Sequence, residues 1–210
     1  AVREVTEPAS GEEEAVIEPG ARLRGEGDSG AVPDDIPSVE ELRSWVAGIV
    51  ADLEERSGHD LRLPVRTRIA AGERIRAWGI ADGVWRGDTP TACRIAIGDT
   101  IFGHGEASVR STVVHEVWHC FQLDVNPAAW RSGPEWVVEG QAEYAGEAYV
   151  GGSRSSAEQW DTWLLTPDTR LTGRSYDAIG LYALAAKSGA DPWRTMLGML
   201  GRGMDPAIEQ

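Results

Sequence analysis

The chain has 210 residues, 41% of them apolar, and carries 34 acidic against 20 basic side chains, which gives a net charge of −14. This composition is typical of a folded protein of about one domain, and its acidity argues against nucleic acid and anionic membranes as partners, because phosphate groups bind to basic surfaces. No run approaches the ~20 apolar residues that a membrane-spanning helix needs.

The N-terminal segment, residues 1–36, is predicted to be an acidic flexible tail or a pro-segment. Residues 1–41 contain twelve acidic residues against three arginines, with many Gly, Pro and Ser and few aromatic side chains. Such segments cannot bury enough apolar surface to fold alone. We therefore expect a single folded domain at 37–210.

The first helix is predicted within PSVEELRSWVAGIVADLEERSG, residues 37–58. Ser38 and Glu41 form a capping-box pattern at its start. Apolar residues then recur at helical spacing, and Gly58 is placed to end the helix.

Short strands follow between residues 62 and 97, in RLPVRTRIA, ERIRAWGIA, GVWRG and ACRIAIG. These stretches are β-branched or alternating and are bounded by Gly and Pro, which predicts three or four strands. Arg66 and Arg68 alternate with Val65, Thr67 and Ile69, so one face of the sheet is expected to be exposed and the other covered.

The second half of the chain has helical periodicity. We predict helices at about 107–124, 134–149, 155–165, 175–188 and 192–201. One helix, then a small mixed sheet of three to four strands, then a mainly helical C-terminal half is an α+β order.

The segment HEVWH lies inside the 107–124 helix. Residues four apart share one face of a helix, so His115 and His119 can direct imidazole nitrogens to one point, as Zn²⁺ requires. Glu116 is rotated away from this direction but can reach a water on the metal, which is where a general base is needed.

A third ligand is available in GPEWVVEGQAEYAGEAY. Nineteen residues separate His119 from Glu139, and a turn at 124–133 would let the two helices pack together. Glu143, one turn further on, can accept the outer N–H of a ligand histidine. Glu135 and Glu147 lie on the same stripe and are interpreted as a solvated or salt-bridged face.

The combination of HEVWH with EWVVEGQAEY resembles the gluzincin zinc metallopeptidases. The matching context residues are Trp136, Glu139, Gly140, Ala142 and Tyr144. The spacer and the acidic residue four beyond Glu139 resemble the thermolysin type, whereas the surrounding residues are closer to the aminopeptidase N type, so no family within the superfamily is assigned.

The resemblance implies a zincin-like domain with the metal-site helix beneath the sheet. It also implies a zinc ion held by His115, His119 and Glu139, with Glu116 as the base that activates water.

A tyrosine that stabilises the oxyanion is implied by a second resemblance, in GRSYDAIGLYALAAKSG. Tyr176 and Gly180 match the aminopeptidase-type pattern, although Ile179 stands where lysine is common. Tyr182 is the competing candidate, and an ordinary helix tyrosine is the simpler interpretation of Tyr176.

Other features are weaker candidates. His104, in FGHGEAS, either contacts substrate or is an exposed loop histidine, and His59 is interpreted as a cap of the first helix. The strand ACRIAIG, which precedes the metal helix, either pairs with extended substrate at the cleft rim or is an ordinary covered strand. Cys93 and Cys120 form a disulfide if the compartment is oxidising, or are two buried thiols.

The sequence thus predicts a zinc-dependent peptidase acting on a peptide or protein. The alternative is a latent or non-catalytic zinc-binding protein in which residues 1–36 cover the cleft, with one carboxylate on the metal from among Glu12, Glu13, Glu14, Asp34 and Asp35. A secreted or cell-surface location is slightly favoured over a cytoplasmic one. Neither the oligomeric state nor the choice between internal cleavage and N-terminal trimming is assigned.

Overall fold

A computed structural model describes residues 37–70, 78–153 and 156–201. The acidic segment at 1–36 and the latent arrangement that depends on it lie outside the described residues. So does most of the predicted strand at 73–81.

The described chain is an α+β protein, as predicted. Its elements are α1 (Val39–Ser57), β1 (Val65–Ala70), β2 (Gly79–Arg86), β3 (Thr89–Gly98), α2 (Glu106–Val125), α3 (Pro127–Ser132), α4 (Glu135–Val150), α5 (Ala157–Leu165), α6 (Ile179–Lys187) and α7 (Pro192–Gly201). Short 3-10 helices occupy Asp99–His104, Leu171–Gly173 and Tyr176–Ala178. In the described ranges, none of the helices is both long and apolar enough to cross a bilayer.

Both predicted ends of α1 are confirmed. The Glu41 N–H donates to the Ser38 hydroxyl at 3.2 Å, and the Ser38 N–H donates to the Glu41 carboxylate at 2.7 Å. Gly58 closes the helix with a φ of 70°, a left-handed conformation that glycine adopts without strain. The inward face of the helix is formed by Leu42, Val46, Ile49 and Leu53, which are buried.

Within the described ranges, the sheet has three strands in the order β1-β3-β2, with β1 parallel and β2 antiparallel to β3. The predicted strand ACRIAIG lies in β3 and is hydrogen-bonded on both sides. Its main chain therefore has no edge left for a substrate, and the prediction that it pairs with extended peptide is wrong. Of the two outer strands, β2 is the one that lies against α2.

The predicted alternation of β1 is confirmed. Arg66 and Arg68 are exposed, whereas Val65, Thr67 and Ile69 are half-buried. The covered face of the sheet packs on α2 and includes the buried Ile95 and Ile97 of β3.

A disulfide joins Cys93 of β3 to Cys120 of α2. Both residues are fully buried. The bond ties the central strand to the helix that carries HEVWH, next to His119. The two cysteines are 27 residues apart in sequence, and closing a loop of this length is worth about 3.5 kcal/mol in the chain-entropy description.

Helix α2 is the centre of the fold, because the sheet, α1, α4 and α7 all pack on it. Its residues are buried almost all round from Ser108 to Asp124. Helix α4 approaches α2 so closely at Gly146 that an added Cβ there would lie 2.6 Å from the Ser111 carbonyl oxygen.

Two segments differ from the expected helices. The predicted turn at 124–133 contains α3, with Asn126 as its N-cap and Pro127 at its first position. The predicted helix at 175–188 starts as the 3-10 turn Tyr176–Ala178 and becomes α-helical at Ile179.

Replacing Gly146 by alanine should destabilise the protein by about 1–3 kcal/mol, the usual cost of overpacking. The matched control is Gly48→Ala, because Gly48 lies within α1 with nothing within 4 Å of an added Cβ. That variant should be up to about 1 kcal/mol more stable than the parent. Urea unfolding measures both, and equal shifts in the two variants would contradict the close contact of α2 with α4.

Candidate metal centre

Three ligand atoms from α2 and α4 form a nearly equilateral triangle. The His115 and His119 Nε2 atoms are 3.2 Å apart, and they lie 3.4 and 3.3 Å from Glu139 Oε2. Tetrahedral zinc with bonds of ~2.0–2.1 Å holds its ligand atoms about 3.3 Å apart. The side chains of His115, His119 and Glu139 could therefore hold a metal ion without rearrangement.

The environment of Glu139 also favours a metal ion at the centre of the triangle. All three side chains are buried, yet Glu139 Oε2 has no hydrogen-bond partner among the described residues. Its contacts to the two imidazoles have the distances of ion pairs without hydrogen-bond alignment. A buried carboxylate oxygen without a hydrogen bond is costly, and a cation at the centre of the triangle would satisfy it.

The two histidines are oriented by different partners. Glu143 Oε2 lies 3.2 Å from His115 Nδ1, although that nitrogen does not meet hydrogen-bond geometry. The structure thus brings Glu143 to the outer nitrogen of a ligand histidine. His119 Nδ1 instead lies 2.7 Å from Gln122 Oε1. Sequence reasoning missed Gln122, and the available signal was its position three residues after His119 on the same helix face.

Without metal, the ionisable side chains of the triangle shift one another's pKa values. Burial favours neutral His115, but the carboxylates of Glu139 and Glu143 outweigh it and raise the pKa of His115 to about 10. Burial likewise opposes the ionised form of Glu139, yet His119 and His115 hold its pKa below the usual range. A metal ion must therefore displace a proton from His115 to bind.

Glu116 lies beneath the outer strand β2. Burial raises the pKa of Glu116, while the nearby His115 and His119 and the main chain of Ala81 oppose this shift. Gly79 makes the close approach possible, because an added Cβ would lie 2.6 Å from Glu116 Oε1. The strand β2 thus covers the Glu116 carboxylate, while His115, His119 and Glu139 form the triangle beside it.

Tyr176 also lies at the triangle. Its ring stacks on His115 with centroids 5.6 Å apart. Burial, together with the negative charges of Glu139 and Glu116, raises the pKa of Tyr176, so the phenol keeps its proton. The competing candidate Tyr182 donates its hydroxyl to the Trp136 carbonyl at 3.1 Å.

Tyr176 reaches this position because of a second glycine on α4. An added Cβ at Gly140 would lie 2.7 Å from the Ala178 Cβ, so the 3-10 turn at Tyr176–Ala178 packs directly on the helix. Gly180, the other residue that matches the aminopeptidase-type pattern, lies against α5. It makes room for the Trp163 ring, which an added Cβ would overlap.

The remaining sequence candidates lie elsewhere. His104 is exposed, and its ring lies 4.9 Å from that of Trp78. His59 does not cap α1, whose last turn receives the Gly58 N–H. Its Nε2 atom instead lies 2.9 Å from the buried Asp124 carboxylate.

The outer glutamates of α4 have surface roles, as interpreted from the sequence. Glu135 is exposed. The Glu147 carboxylate accepts hydrogen bonds from the main chain and hydroxyl of Ser153.

Comparison with known proteins gives no relative: no protein-family model, no curated protein and no solved structure matches this chain. The gluzincin resemblance therefore stays a prediction.

Changing Glu139 to Gln should weaken binding of zinc or cobalt by more than about 100-fold, because a neutral amide replaces the anionic ligand and ligand loss exceeds the 10–100-fold effect of outer partners. The control is Glu135→Gln, one turn earlier on the exposed side of α4. Competition with a chromogenic chelator measures the affinities. Equal affinity in the two variants would remove Glu139 from the ligand set.

Proposed function

We propose that this protein is a zinc-dependent peptidase in which Glu116 is the general base. One observation carries the proposal: a buried carboxylate and a protonated phenol lie beside a histidine–histidine–glutamate triangle of metal-ligand size. A purely structural metal site has no use for either group, and structural zinc usually has four protein ligands with a preference for cysteine. Here both cysteines are joined in the disulfide.

Zinc is favoured over iron by the dimensions of the triangle. Two histidines and one carboxylate also form the facial triad of non-haem Fe(II) sites. Octahedral sites place ligands at 2.1 Å about 3.0 Å apart, whereas the three separations are 3.2, 3.3 and 3.4 Å. These separations fit a tetrahedral ion better.

A bound zinc ion would polarise the scissile carbonyl and lower the pKa of a water molecule toward about 7. Glu116 then takes a proton from the attacking water at its carboxylate. Burial raises the pKa of Glu116, which suits a group that must accept a proton and return it. The same carboxyl group donates that proton to the leaving amine, so Glu116 ends the reaction ionised as it began.

Tyr176 is suited to stabilise the negative charge that develops on the carbonyl oxygen. Its raised pKa keeps the hydroxyl protonated and able to donate. As the carbonyl oxygen becomes negative, a donor held in a buried site stabilises it without reorganisation. The stacking of the Tyr176 ring on His115 limits the positions that the hydroxyl can take.

The outer strand β2 is suited to hold an extended substrate. The Gly98 N–H donates to the Trp78 carbonyl at 2.9 Å, so the hydrogen-bonded pairs of this antiparallel ladder continue at Ile80 and Asp82. The main chain of Ala81 and Gly83 therefore faces the outer edge of β2, which pairs with no other strand among the described residues, beside Glu116. Pairing along this edge would bind peptides with little dependence on their side chains.

Glu116→Gln should lower the rate of peptide cleavage by about 10²–10⁴-fold, the usual contribution of a general base, while zinc binding is retained. The control is Glu106→Gln in the exposed first turn of the same helix, which should cleave at the parent rate. Digestion of a peptide library, read by mass spectrometry, measures the rates with zinc content determined in parallel. Cleavage that survives in Glu116→Gln, or zinc-loaded parent protein that cleaves nothing, contradicts the proposal and favours a non-catalytic zinc protein.

Tyr176→Phe should lower kcat by about 10²–10³-fold, the effect of removing one oxyanion donor, with little change in zinc affinity. Tyr182→Phe is the matched control: it removes a buried hydrogen bond, which costs about 1 kcal/mol of stability, and should leave kcat unchanged. Steady-state kinetics and thermal unfolding separate the two effects. A larger loss of kcat in Tyr182→Phe would reverse the assignment.

A further inference from the structure

We infer that Gln122 and Gln141 form a one-way hydrogen-bond relay that fixes which nitrogen of His119 faces the metal. The relay runs from the main chain of α7, through two buried amides, to the outer nitrogen of a ligand. The inference rests on the metal centre within the proposed function and not on peptidase activity.

The contacts of the relay are continuous. The Gln141 Nε2 atom donates to the Met196 carbonyl at 2.9 Å. The Gln122 Nε2 atom donates to Gln141 Oε1 at 3.1 Å and to the Val138 carbonyl at 2.9 Å. Gln122 Oε1 lies 2.7 Å from His119 Nδ1. Both glutamines are fully buried, so water cannot replace any of these partners.

The direction of the relay is set by its fixed ends. Main-chain carbonyls can only accept hydrogen bonds. The carbonyls of Met196 and Val138 therefore require the NH₂ groups of Gln141 and Gln122, whichever way each amide might otherwise rotate. Once both NH₂ groups are placed, the Gln122 oxygen is left facing His119.

An oxygen at this position can only accept, so His119 must carry a proton on Nδ1. In neutral imidazole the other nitrogen then has the free lone pair. That nitrogen, Nε2, is the atom that lies in the triangle with His115 and Glu139. Gln122 thus prepares His119 as a metal ligand before any ion binds, and it is a positioning residue.

The relay also makes α7 part of the metal centre. Met196 is in the middle of α7, and its side chain is fully buried in the same core. The three ligands lie on α2 and α4, and α7 carries none of them. If metal affinity depends on the contact between Gln141 and the Met196 carbonyl, the relay must transmit that effect to His119.

The test compares a positioning role with simple packing. Gln122→Met keeps the volume but removes the acceptor, and should weaken zinc binding about 10–100-fold. Gln122→Glu keeps an acceptor for His119 but loses the donors to Val138 and Gln141, so it should bind zinc more tightly than Gln122→Met and no more tightly than the parent. If Gln122 only fills space, the order reverses, because a buried carboxylate packs worse than a thioether.

Gln141→Met provides a variant that leaves the contact of Gln122 with His119 in place. It should weaken zinc binding several-fold, less than Gln122→Met does. Met196→Leu is the matched control, because it changes the side chain and keeps the carbonyl, and should leave affinity unchanged. Chelator competition gives the affinities, and thermal unfolding of the metal-free variants reports folding separately.

A second readout needs no metal. Nitrogen-15 NMR of the imidazole rings should show a proton on His119 Nδ1 in the metal-free parent. A His119 ring whose Nδ1 carries no proton overturns the relay, and so does a Gln122→Met variant that is folded and binds zinc like the parent. Parent protein that binds no metal would overturn the metal centre and the relay together, whereas failure of the variants alone removes only the relay.

Discussion

The contact between α2 and α4 buries ionisable groups that neither helix could bury alone. An isolated charge in a protein interior is costly, and a buried pair is tolerated only when its geometry is good. Here the imidazoles of α2 meet the carboxylates of α4, and Glu139 lies within 3.4 Å of both ligand nitrogens. The close contact of the two helices brings the three ligand atoms to metal-ligand spacing.

Glycines allow close packing of other segments around this contact. Gly146 brings α4 against α2, Gly140 admits the turn that carries Tyr176, and Gly79 lets β2 pass over Glu116. Each glycine faces an atom that would clash with a Cβ. Glu116, Tyr176 and the ligand triangle therefore come from three segments, α2, α4 and the 3-10 turn, and the disulfide at Cys120 ties the central helix to the sheet beside His119.

Local patterns were sufficient to predict much of this arrangement. The spacing of His115 and His119 depends only on helix geometry, and the capping box of α1 only on Ser38 and Glu41. Substrate pairing was predicted for ACRIAIG, which is in the central strand β3, because strand order is decided by pairing between distant segments. Gln122 was missed because an amide has no metal-specific signature. The sequence did not decide between a disulfide and two free thiols, because the bond depends on the proximity of Cys93 to Cys120 in the fold.

X-ray absorption at the zinc edge of the zinc-loaded protein tests whether His115, His119 and Glu139 bind the ion, since it identifies the atoms bound to zinc. The account predicts four nitrogen or oxygen ligands at about 2.0–2.1 Å, with the outer-shell pattern of two imidazoles. Sulfur scattering at about 2.3 Å, a six-coordinate shell of oxygen atoms, or the pattern of a single imidazole would contradict it.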